Sequence, residues 1–100
     1  MFYVVKLKKI AKLDIEKVYD YIEKMLFAPL AAENFLRGIY ACLTDLETKA
    51  SIYAISTYKD VLEYGVNART VNFRGFLIIY TIHKHFVLVH RIIHGSLIKR

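Results

Sequence analysis

Residues 76–95 read FLIIYTIHKHFVLVHRIIHG. Phe76 to His83 and Phe86 to His94 are β-rich runs parted only by Lys84-His85, so they predict a hairpin. Just upstream, Ala68 to Phe73 is a third such run, set off by Arg74-Gly75. Together they predict a meander of three antiparallel strands. The last two are apolar on both faces, with Phe76, Ile78, Tyr80 and Ile82 alternating against Leu77 and Ile79. One face is covered by whatever helices the chain supplies, and the other calls for a cover of its own.

The helices lie N-terminal to the meander. Ile15, Val18, Tyr19, Ile22, Met25 and Leu26 recur at helical spacing, with Asp14 as the expected N-cap and Leu13 placed to staple onto Val18 across it. This predicts a first helix from Asp14 to Phe27. Pro29 cannot continue it but suits the first turn of a second helix, whose stripe of Ala32, Phe35, Leu36, Ile39, Leu43 and Leu46 runs to Glu47. The short joint makes the pair an antiparallel hairpin. Gly38, in mid-helix, is expected to admit a close approach of the first helix. Before the hairpin, Met1 to Lys8 alternates Tyr3, Val5 and Leu7 against Phe2, Val4 and Lys6, which is a strand. Lys49 to Gly65 has no clear period; it reads either as an ordered loop or as a short helical turn, Tyr58 to Tyr64, capped by Thr57 and stopped by Gly65. The expected architecture is α+β: one N-terminal strand, a helical hairpin packed on one sheet face, and a three-strand meander, all in a single domain over residues 1–100.

Charge is placed unevenly. Up to Glu63 nine Lys or Arg balance nine Asp or Glu. Beyond it come Arg69, Arg74, Lys84, Arg91, Lys99 and Arg100, no acid, and all four histidines, so the whole net charge of +6 lies in the last third. Such a balance fits an acidic protein partner or a phosphate backbone as well as it fits a solvated surface. No apolar run approaches a membrane span, Lys6, Lys8 and Lys9 interrupt any signal-peptide core, and the lone Cys42 sits in the helical apolar pattern. A soluble cytoplasmic protein with Cys42 in its core is expected.

Little conventional catalytic chemistry is visible. His83, His85, His90 and His94 have no Cys or carboxylate near them in sequence, so turn, surface and strand roles are expected rather than a metal. There is no Gly-rich phosphate loop, no Ser or Cys nucleophile beside a His and no carboxylate pair, and no cofactor is expected. Cleavage of RNA by its own 2′-hydroxyl needs only cations and an acid–base pair, which Arg69, Arg74, Tyr80, Arg91 and His94 could supply. Along an unbroken strand Arg91 shares parity with Val87, Val89 and Ile93, and His94 with Leu88 and Ile92, so the two are expected on opposite faces.

Several local stretches resemble the RelE/ParE superfamily of toxins from bacterial type II toxin–antitoxin pairs. They are DIEKVYDYI (Asp14 to Ile22), AAENFL (Ala31 to Leu36), Arg69, FLIIY (Phe76 to Tyr80) and RIIHG (Arg91 to Gly95). The resemblance implies that superfamily's fold. It also frames two mechanisms. RelE-like ribosome-dependent mRNA nucleases carry an Arg two residues after the third strand's Gly, where this chain has Leu77. They also carry basic residues after the last strand's Gly, where it has Ser96 and Leu97. The AAxxF helix and RxxHG ending are similar to the ParE-like, plasmid-stabilisation branch, whose studied members poison DNA gyrase. This implies a gyrase inhibitor neutralised by an acidic antitoxin, although the basic pair common after His-Gly is missing and Lys99 and Arg100 come a few residues late. The alternatives are an mRNA endoribonuclease acting on the ribosome, or a non-toxic antitoxin-binding module. The functional surface implied is Arg69, Arg74, Arg91, His94, Lys99 and Arg100, and the antitoxin-covered apolar face Leu77, Ile79, Val87 and Val89.

Overall fold

The computed structural model describes residues 2–98, so Lys99 and Arg100 lie outside the described residues. Strand β1 (Val4–Leu7) leads within one residue into helix α1 (Lys9–Asp20), which widens into a π-helical turn, Tyr21–Met25. Helix α2 (Pro29–Lys49) and a one-turn helix α3 (Lys59–Leu62) precede strands β2 (Arg69–Phe73), β3 (Phe76–His83) and β4 (Phe86–His94), and a 3-10 turn, Gly95–Leu97, follows. The sheet order is β1-β4-β3-β2. The meander is antiparallel as expected, and β1 adds to it in parallel, Val5 beside Val87 and Leu7 beside Val89.

The inner face of the sheet carries the core. Tyr3 just before β1, Val71 from β2, Ile78 and Tyr80 from β3, and Val87, Val89 and Ile92 from β4 pack against Ala11, Ile15, Phe35, Ile39, Leu43 and Leu46 of the hairpin. Each large aliphatic side chain fully buried here contributes about 1.5–3 kcal/mol. Cys42 packs against this cluster, and burial pushes its thiol up, as befits a core residue. Tyr80 is completely buried, and its hydroxyl donates to the Ala50 carbonyl at the end of α2 at 2.6 Å. Tyr80→Phe leaves that acceptor dry and unpaired, so a loss of about 1–3 kcal/mol in urea unfolding is expected.

Three local expectations are overturned. Asp14 is not an N-cap: α1 begins at Lys9, Lys8 precedes it without a side-chain cap, and Leu13 is exposed rather than stapled. The reason is that β1 stays in the sheet up to its last bond, Lys8 N–H to Val89 C=O, so the helix must start at once. The first helix also does not reach Phe27, because its regular winding gives way at Tyr21 and Phe27 takes a positive φ of 50°. Finally, Gly38 makes room not for α1 but for Phe73 of β2, whose ring would overlap any Cβ there. Gly38→Ala gains about 1 kcal/mol of helix propensity and displaces that ring, for a net loss of about 1–2 kcal/mol.

The outer face is partly covered by the chain itself. Val61 of α3, Ala68 and Ile98 close over Ile79, with Tyr64, Leu77 and Ile93 at the margin, forming a second small core. The segment without a clear period is therefore the missing cover. Its short helix is one turn, Lys59–Leu62, entered at Tyr58, whose N–H is bonded by the Ser56 hydroxyl rather than by Thr57. Beside this cover lies His90, bonded through Nε2 to the Thr81 hydroxyl at 2.8 Å, with a buried Nδ1 that has no partner. Burial lowers its pKa, with Lys8 and His83 adding to the effect. The unfolded chain then binds the proton more readily, so stability falls as pH drops below the ordinary histidine value of about 6.5. Urea midpoints at pH 7.5 and 5.5 should differ less in His90→Gln than in the parent; equal acid losses would refute the assignment.

Candidate functional site

β1 ends opposite Val89, and the rest of β4 has a free edge against which α1 lies. Asp14 occupies that edge. Its Oδ2 accepts from the Ile92 N–H at 3.0 Å and from Arg91 Nε at 2.8 Å, while Oδ1 accepts from Arg91 Nη2 at 3.0 Å. The carboxylate is buried, 7% exposed, and the guanidinium partly so. The paired geometry pushes the Arg91 pKa further up, the hydrogen bond to Asp14 being the chief cause. An edge strand and a helix are thus joined where no backbone partner exists.

The same stretch of β4 is irregular. Tyr80 pairs with Val89 but Ile79 pairs with Arg91, so His90 is an extra residue, a β-bulge. The bulge shifts the alternation, and Ile92 joins Val87 and Val89 in the inner core. The parity expected between Arg91 and Val87 and Val89 fails for this reason. Instead, Arg91 and His94 line one open groove of about 270 Å³ with Lys17, Val18, Phe76, Ile93 and Leu97. His94 Nδ1 accepts from the Ser96 N–H at 3.2 Å and lies 2.8 Å from its hydroxyl, capping the final turn. Gly95 N–H bonds to Gly75 C=O at 2.7 Å, leaving little room for a side chain. The RIIHG stretch is therefore a latch that ties β4 to α1 and to the β2–β3 turn. Its basic side chains edge an apolar groove.

The other sequence-predicted residues are dispersed. Arg69, beside Tyr80 in the sheet, gives Nη1 to the carbonyls of Ser51 and Tyr53 and organises the segment after α2. Arg74 sits at the tip of the β2–β3 turn with positive φ, over the Phe73 ring. Tyr80 is fully buried and its pKa is raised by burial. Ile79, Val87 and Val89, expected to face an antitoxin, are fully buried within the chain's own two cores and present no surface. Only Leu77 of that set retains exposure, at the margin of the second core. Lys17, Phe76 and Leu97 were missed as groove residues. Among the described residues, no group of three or more His, Cys, Asp or Glu could hold a metal ion.

A second groove, about 370 Å³, runs between α1 and α2 along Lys12, Ile15, Glu16, Tyr19, Asp20, Leu36 and Tyr40. Tyr19 donates to Glu33 Oε1 at 2.8 Å, which pushes its pKa up to about 12. At the hairpin tip Tyr21, Met25, Leu26, Phe27 and Leu30 are exposed. No described helix is long and apolar enough to cross a membrane.

A helical hairpin on a four-stranded mixed sheet, with an apolar groove edged by Lys17, Arg91 and His94 at the end of the last strand, defines the α+β class of the chain. A solved structure described as "Chromosomal ParDE TA system from P. aeruginosa" has a chain of this fold: TM-score 0.76 at 18% identity, over 93% of this chain and 96% of that one. The model of the family described as "ParE toxin of type II toxin-antitoxin system, parDE" matches residues 5–98, and the chain belongs to that family. No curated protein matches it significantly.

Proposed function

We propose that the chain is a toxin held inactive by an acidic antitoxin in the cytoplasm and that it acts on DNA gyrase by binding, without cleaving RNA. The observation that carries this reading is the commitment of three of the five would-be nuclease residues to the fold, which leaves only Arg74, at a turn tip, and His94, in the groove at the end of β4, exposed. Arg69 is spent on two backbone carbonyls, Arg91 on Asp14, and Tyr80 on Ala50. Phosphoryl transfer needs free cations around the phosphate and a titratable group within reach of it. Leu77, where a nuclease of this superfamily would carry Arg, borders the second apolar core.

The antitoxin reading is supported by the groove at the end of β4. Lys17 and His94 stand beside Val18, Phe76 and Leu97, which suits a segment that alternates carboxylates with apolar side chains and folds as it binds. The test is a gyrase supercoiling assay with the purified chain. The expected result is loss of supercoiling or accumulation of cleaved DNA, reversed by the acidic protein of the adjacent reading frame. Ribosome-bound mRNA in a parallel translation reaction should stay intact. Codon-positioned mRNA cuts with gyrase unaffected would reverse the assignment, and normal growth on expression without the antitoxin would favour a non-toxic binding module.

A further inference from the structure

The half of the outer sheet face that α3 and Ile98 do not cover has its own chemistry. It is made of β1, the first part of β4 and the end of β3, and these strands and the Lys84-His85 turn contain no Asp or Glu. In register, Val4 lies beside Phe86 and Phe86 beside His83; one step along, Lys6 lies beside Leu88 and Leu88 beside Thr81. Val4 is 54% exposed although it is in a strand, and Lys6, Lys8, His83 and Lys84 are exposed too. A strand face that leaves an apolar side chain exposed among cations suits a partner.

Its rings are arranged rather than scattered. His83 stacks on Phe86 with centroids 5.0 Å apart and planes 18° from parallel, and Lys6 Nζ stands 4.5 Å from the Phe86 centroid. Thr81 holds His83 Nε2 at 2.6 Å, which fixes the imidazole of an exposed residue. Lys6 and, in extended backbone just past the end of β1, Lys8 follow at alternate positions, about 6.6 Å apart. His83 and Lys6 occupy the Phe86 ring, so the exposed surface is the His83 imidazole, held by Thr81 and backed by Phe86. With the lysines beside it, it meets the two needs of an unpaired nucleotide strand, a surface for a base face and charge for phosphates. An acidic peptide with apolar side chains could meet the cations and Val4 but brings no base to stack on the imidazole, and a duplex keeps its base faces inside.

We propose that this half of the sheet binds single-stranded nucleic acid, with His83, backed by Phe86, as the stacking surface and Lys6, Lys8 and Lys84 as phosphate contacts. The proposal stands apart from the gyrase assignment, because either can fail with the other intact.

The experiment measures fluorescence anisotropy of labelled 15-nucleotide dT and U strands on the full chain, from 50 to 200 mM salt. Binding of either supports the proposal, and the difference between them identifies the preferred sugar. Lys6→Gln/Lys8→Gln should weaken binding at least about tenfold and reduce the salt slope by about 1.4, the share of two single-strand phosphate contacts. Phe86→Leu, which keeps the site apolar but removes the ring, should weaken it at least about fivefold. Lys24→Gln/Lys49→Gln removes the same charge elsewhere and should stay within about twofold. The proposal is overturned if no strand binds at 50 mM salt or if a duplex of equal length binds as well. It is also overturned if poly-glutamate competes on equal terms while Phe86→Leu has no effect, which would make the face an acidic-peptide surface.

Discussion

Asp14→Ala is expected to cost about 3 kcal/mol of folding stability, the largest loss from any single polar side chain here. Two buried interactions go at once: the Ile92 N–H loses its acceptor and the Arg91 guanidinium loses both of its bonds. Stranding one partner of a buried ion pair costs about 3–5 kcal/mol, and the lower end applies because the Arg91 side chain is 29% exposed and water can take up part of its charge. For a domain whose total stability is about 5–15 kcal/mol this is a large share. The partner change separates the pair from the edge contact. Arg91→Met removes the cation but leaves Asp14 bonded to Ile92, and the double variant should lose less than the sum of the singles. Urea unfolding of the four proteins gives the coupling. A loss below 1 kcal/mol in Asp14→Ala, or strict additivity, would show that the latch contributes nothing.

This latch also shows what the sequence could and could not disclose. The strands of the meander were legible to the residue at β3 and β4, because long β-branched and aromatic runs bounded by Arg74-Gly75 and Lys84-His85 admit no other reading. The start of α2 was equally open, set by Pro29, and its one continuous stripe placed the end at Glu47, two residues short of Lys49. Asp14 was misread because an acid before an apolar run has the look of an N-cap, and local pattern cannot tell a cap from a buried counter-ion. The signal was present in the spacing: Ala11, Asp14, Ile15 and Val18 share one helical face, so an acid there needs a cation from elsewhere. The bulge at His90 leaves no mark in a strand apolar on both faces, and it misdirected the placing of Arg91. Val87 and Val89 were assigned to a partner because a strand apolar on both faces does not say which face the helical hairpin covers, and they lie in the inner core beneath it; Ile79 was assigned there because the sequence does not say what else in the chain covers the outer face. Lys59–Leu62 and Ile98, too short or too isolated to show a period, provide part of that cover.

The Tyr80→Phe variant is expected to keep the toxin's potency within a few-fold, and this is the sharpest separation between the two mechanisms of the superfamily. In a nuclease that used this phenol for proton transfer, its loss would lower the rate by about 10²–10⁴-fold. In this chain the hydroxyl is buried and donates to Ala50 C=O, its pKa is raised by burial, and Arg69 beside it is occupied with Ser51 and Tyr53. A group so placed holds the end of α2 in position and has no route to a phosphate. The phenylalanine variant should therefore be less stable but, at a temperature where it remains folded, inhibit supercoiling at nearly the parent concentration. Growth arrest on expression should persist at 25 °C and weaken on warming as the folded fraction falls. Circular dichroism at each temperature fixes that fraction, so a stability effect is read separately from a mechanistic one. A folded Tyr80→Phe chain that has lost growth arrest by a hundredfold or more would place the phenol in the chemistry and return the nuclease reading.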